Sequence, residues 1–93
     1  MSFRVIPGTG QTLALGASSV ASAAFGSVTN YVRIASTGAC HIEFGTAPTA
    51  SSSSAFIAPN VRGEVFRVAP GSKVAVIQDG AATGNLSVVE LCL

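Results

Sequence analysis

Apolar and polar side chains alternate along most of this chain with a period of two, the mark of strands that bury one face. Tyr31-Val32-Arg33-Ile34-Ala35 puts Val32 and Ile34 on one face and Tyr31 and Arg33 on the other. After a turn at Ser36-Thr37-Gly38, Cys40-His41-Ile42-Glu43-Phe44 alternates again, with Cys40, Ile42 and Phe44 inward. These two stretches predict a hairpin. Phe3 to Ile6 is stopped by Pro7-Gly8, and Thr12 to Leu15 alternates more weakly. Phe56-Ile57-Ala58 is stopped by Pro59-Asn60, and Glu64 to Val68 runs to Pro70-Gly71, the strongest turn signal in the chain. Lys73 to Ile77 follows it. The last run, Leu86 to Leu93, carries only Ser87 and Glu90 as polar side chains. On a sheet edge it would invite aggregation, so it is expected in a central position or paired across an interface.

Seven to eight short strands about ten residues apart predict an all-β fold, a small antiparallel β-sandwich of jelly-roll-like form. Two segments lack a strand signal. Ala17 to Phe25 is rich in Ala and Ser and reads as a loop or irregular edge strand. Gly45 to Ser54, with Pro48 and the serines Ser51 to Ser54, reads as a mobile surface loop. The length fits a single domain, residues 1–93, with residues 1–27 a candidate N-terminal docking arm.

Composition sharpens this picture toward assembly. Hydrophobic residues make up 48% of the chain and charged ones 10%. A domain this small usually carries more charge to stay dispersed, so much of its surface is expected to lie against other chains. The net charge is +1 and the basic residues are scattered, which argues against nucleic acid as a partner. No apolar stretch approaches the ~18 residues of a membrane-spanning helix. Arg4 and the run from Leu13 to Phe25 loosely imitate a signal peptide, but Pro7, Gly8 and Gly10 interrupt it and serine replaces leucine. Cys40 and Cys92 sit in apolar stretches without metal-site spacing and read as buried thiols, with a bridge between adjacent strands as the alternative.

Candidate chemistry is thin. Pro7-Gly8-Thr9-Gly10-Gln11 resembles the start of a phosphate loop but lacks the third Gly, the Lys and the helix. His41, the single histidine, is expected on the outward face beside Glu43. It would need Asp79 and a serine to act as a general base, and no nucleophile elbow accompanies it. One histidine without an acidic cluster argues against zinc or calcium. No catalytic, cofactor-binding or metal residue is assigned. Arg62, Glu64, Arg67 and Lys73 are placed to set strand register or to contact a neighbouring subunit.

Several of these pieces form a longer pattern. Thr37-Gly38 between strands, Phe44-Gly45 followed by Pro48 and Ala50, the stretch Glu64 to Ile77, and Gly84 to Leu91 together resemble small virion structural proteins of tailed bacteriophages, over roughly residues 28–91. The resemblance implies a β-sandwich displayed on, or built into, a virus particle, and no catalytic residues. The expected function is a non-enzymatic capsid decoration (cement) protein without a cofactor, made in the host cytoplasm. It would bind the major capsid protein on the virion surface as a homo-oligomer, with a trimer favoured. A neck or tail ring component or fibre-associated adaptor is the alternative, and a carbohydrate- or host-surface-binding module is another. The interface candidates are Phe3, Val5, Phe25, Tyr31, Arg62, Arg67 and Leu93.

Overall fold

The alternating stretches become nine strands in two antiparallel sheets. A computed structural model describes residues 3–92. The strands are β1 (Arg4–Val5), β2 (Gln11–Ala14), β3 (Val20–Ala21), β4 (Tyr31–Ser36), β5 (Cys40–Gly45), β6 (Ala55–Ile57), β7 (Asn60–Arg67), β8 (Lys73–Gln78) and β9 (Asn85–Cys92). In the first sheet β1 and β2 both pair with β9, which pairs with β4, which pairs with β7. The second sheet runs β3-β8-β5-β6. The pairs β5–β6, β4–β7, β3–β8 and β2–β9 nest inside one another, so the chain is a long hairpin rolled into a two-layer sandwich. That is a jelly roll. Among the described residues no helix is long and apolar enough to cross a membrane.

The inward rows of the alternation meet between the sheets. Val32 and Ile34 of β4, Leu86 and Val88 of β9, Val74 and Val76 of β8, and Cys40 and Ile42 of β5 are all buried in one cluster. Each fully buried aliphatic side chain contributes about 1.5–3 kcal/mol relative to exposure. Phe44, Ile57 and Phe66 pack against this cluster from the partly buried side. β9 is interior to its sheet, flanked by β4 and by β1 and β2, which removes the edge hazard its apolar sequence would pose.

One expectation is corrected. β4 and β5 do not form a hairpin: they belong to opposite sheets. Ser36 turns inward and is buried, its hydroxyl donating to the Gly38 carbonyl. Thr37 is tied to β9 by its N–H on the Asn85 carbonyl (3.0 Å) and by the Asn85 N–H on its Oγ1 (2.9 Å). Gly38 is pressed against the Thr83 backbone with no room for a Cβ. The turn is thus bound into the end of the sandwich and carries the chain from one layer to the other.

Residues 3–27 are built into the sandwich. They supply three strands, and Leu13, Leu15 and Phe25 sit in the core cluster. The Ala/Ser segment is an irregular edge in which a serine hydroxyl stands in for a strand carbonyl. The Ser22 N–H donates to the Val74 carbonyl (2.8 Å), and the Val74 N–H donates to Ser22 Oγ (3.0 Å). Glu90 anchors the next turn from inside, accepting from the Gly26 N–H (3.0 Å) and from the Thr29 hydroxyl.

Candidate interaction face

The two sheets present different outer faces. On the first, strand register sets Val5, Leu91, Tyr31 and Arg67 in one row across β1, β9, β4 and β7. The next outward row holds Val89, Arg33 and Val65. Phe3 stacks against Tyr31 with ring centroids 5.0 Å apart. Leu91 is 3% exposed within this row, whereas Val5 is 53%, Val65 40% and Phe3 36% exposed. An apolar surface therefore lies open on this sheet, where a solvated face would carry polar residues.

Arg33 adds a fixed cation. Its Nε and Nη2 both donate to the Arg62 carbonyl, at 3.0 and 2.8 Å, and its side chain lies over Gly63, whose φ of 81° belongs to the left-handed region. Among the described residues no carboxylate pairs with it. A guanidinium oriented by a neutral oxygen keeps its charge available to an outside anion. Beside it opens a cleft of about 300 Å³ lined by Arg33, Thr37, Asn60, Asn85 and Ser87.

The second sheet is covered in part by its own chain, while Phe56 of β6 stays 54% exposed. Ala75 points away from the core, between the inward Val74 and Val76, yet is fully buried. Ala50 is also buried without joining the core cluster, and its N–H donates to Ser19 Oγ (2.9 Å), next to β3. The segment 46–54 between β5 and β6 therefore folds back across β8 toward β3 on the outer side. Its serines form a turn of their own, with the Ser54 N–H on the Ser51 carbonyl (3.0 Å) and the Ser51 N–H on Ser54 Oγ (3.0 Å).

This fold-back buries His41, expected in solvent, to 8% exposure. Its Nε2 meets Asp79 Oδ1 at 2.9 Å and its Nδ1 meets the Ser54 carbonyl at 3.0 Å. The Asp79 carboxylate, then the Ser54 carbonyl, hold the imidazole pKa above its ordinary value, and burial opposes them. Ser54 offers the ring its carbonyl; its hydroxyl donates to Glu43 Oε1 (3.1 Å). A base-activated nucleophile needs a serine Oγ at a ring nitrogen, and here both nitrogens face other oxygens. The Pro7–Gly10 segment is a turn closed by the Thr9 hydroxyl on the Ile6 carbonyl (2.7 Å), not a phosphate cradle. Among the described residues no three metal-ligating side chains converge.

The fold thus brings together Phe3, Val5, Tyr31 and Arg67 on one outer face, with Arg62 on the adjoining edge strand. Phe25 is corrected: at 3% exposure it belongs to the core cluster. Leu93 lies outside the described residues. Val65, Val89, Leu91 and Arg33 belong to the same face and are legible only as the outward positions of their strands. The chain matches no protein-family model, no curated protein and no solved structure.

Proposed function

We propose that this protein is a non-enzymatic structural component of a bacteriophage virion, a decoration protein that binds the head shell as a homo-oligomer. The observation that carries this reading is the open apolar face of the first sheet, with Arg33 fixed inside it, while on the opposite sheet the chain's own loop covers β8. One face lies open across four strands, and the other is closed over β8 while Phe56 of β6 stays exposed. The jelly roll is among the architectures used by viral capsid domains, which supports the reading at the level of fold alone.

The function is adhesive. Many symmetric copies, each burying the Phe3, Val5, Tyr31 and Val65 surface, would bridge neighbouring shell subunits, and modest contacts would multiply through avidity. The charges of Arg33 and Arg67, neither of which pairs with a carboxylate among the described residues, favour a contacted surface that carries carboxylates. Light scattering coupled to size exclusion over a dilution series is the first test. A stable trimer supports decoration at three-fold-related positions; a ring of six or twelve moves the protein to the neck or tail. A monomer at every dilution removes self-association from the reading.

A second reading rests on the polar cleft beside Arg33. Jelly rolls also serve as lectin domains, and Arg33, Asn60, Asn85 and Ser87 offer groups that bind hydroxyls and carboxylates. A ligand-dependent rise in melting temperature with acidic oligosaccharides would favour it.

A further inference from the structure

His41 sits between two hydrogen-bond acceptors. Asp79 Oδ1 lies 2.9 Å from Nε2, and the Ser54 carbonyl oxygen lies 3.0 Å from Nδ1. A backbone carbonyl never donates, and an ionised carboxylate only accepts. A neutral imidazole has one N–H and can satisfy one of the two; only the imidazolium donates to both. Ser54 ends the segment that crosses the second sheet, so one of these bonds fastens that segment directly to β5.

We infer that residues 46–54 form a proton-controlled flap, closed over the outer face of the second sheet while His41 is an imidazolium and released when it is neutral. The fastening has three further parts, and none of them involves the imidazole. They are the Ala50 N–H on Ser19 Oγ, the Ser54 hydroxyl on Glu43 Oε1, and the burial of Ala50. Loss of one bond from so small a set shifts the balance between closed and open, where the same loss inside the core would leave the strands in place. The charged groups facing His41 are Asp79, at the end of β8, and Glu43 on its own strand, reached through the Ser54 hydroxyl. From β6 it meets the Phe56 ring at 5.5 Å, and from β8 it pairs with Ile77, neither of which titrates near neutrality. Both charges are negative and both favour the cation. Asp79 stands outside the segment and raises the His41 pKa with the flap open or closed, whereas the Ser54 carbonyl adds to it only when closed, so the flap's extra stability is complete below the open-state pKa and is lost as pH rises through the higher closed-state value.

The inference is tested on the intact protein, where the single histidine gives unambiguous ring signals. NMR titration yields the His41 pKa. Exchange of the Ala50 amide, corrected for its intrinsic pH dependence, reports flap opening. Protection of Ala50 is expected to fall across the His41 titration by about tenfold for each unit by which the closed-state pKa exceeds the open-state one. The amides of Val32 and Val88 should not follow. In Asp79→Asn the His41 pKa and the pH at which the step occurs should fall together, and in His41→Gln the step should vanish. Should His41→Gln fail to fold, Asp79→Asn decides, since Asp79 is half exposed. Ala50 protection that ignores the His41 titration, or a step that survives unchanged in either variant, overturns the inference.

Discussion

Gly63 lies directly beneath the Arg33 guanidinium: a Cβ at position 63 would stand 2.7 Å from Arg33 Nε. The left-handed φ at Gly63 bends β7 so that the Arg62 carbonyl faces Arg33, and the missing side chain leaves room for it to arrive. Gly63→Ala is expected to cost about 1–3 kcal/mol from backbone strain, with steric displacement of Arg33 added. In an Arg33→Ala background only the strain should remain. A double-mutant cycle in urea that shows simple additivity would mean that the two residues are not coupled.

If the outer face of the first sheet is the contact surface, Val65→Glu and Arg67→Glu should reduce the mass measured by light scattering toward the monomer. Neither side chain is in the core, so unfolding free energy should stay within about 0.5 kcal/mol of the parent. Val28, 78% exposed in the 26–29 turn, is the control: Val28→Glu should leave the mass alone. A Val65→Glu protein with unchanged mass would place the contact elsewhere.

Glu90 holds the 26–29 turn through two donors, the Gly26 N–H and the Thr29 hydroxyl, for which no other acceptor stands among the described residues. Glu90→Gln keeps an acceptor oxygen and should be mild. Glu90→Leu leaves both donors without one and is expected to cost about 2–4 kcal/mol, from the usual penalty per stranded group. Equal denaturation midpoints for the two variants would show that the carboxylate does not organise this turn.

The cysteines should differ in reactivity. Cys40 is fully buried, and burial pushes its thiol pKa up, opposed by a hydrogen bond with Ser36 and aided by the negative Asp79. Cys92 is partly exposed, and both thiols are free. Iodoacetamide at mildly alkaline pH should modify Cys92 in the folded protein and reach Cys40 only on unfolding. Mass spectrometry of the folded protein showing two adducts at comparable rates would contradict the burial of Cys40.

Strand existence was legible because alternation is local: Val32 with Ile34, or Val74 with Val76, announces an inward row whatever lies opposite. Partnership was not. Tyr31 to Ala35 and Cys40 to Phe44 read the same whether the turn between them pairs the strands or sends them to opposite layers. The decision is made by distant groups, the Asn85 backbone holding Thr37 and the Thr83 carbonyl crowding Gly38. Burial of His41 was hidden for the same reason, since its cover is a loop that returns after closing a turn of its own. Phe3, Val5, Tyr31 and Arg67 stood out singly as apolar or cationic residues near strand ends. Only the register of β1, β9, β4 and β7 makes them one surface.

The nesting of the strands also dictates when the protein can fold. β9 lies between β4 and the paired β1 and β2, so residues 85–92 must arrive before the first sheet can close around residues 4–36. During synthesis the early strands wait, with Val32, Ile34 and Leu13 still in water, until the ribosome has released the β9 segment. Contacts of such long sequence separation place folding in the millisecond-to-second range. Through that interval the nascent chain carries in water the very apolar rows that will become its core.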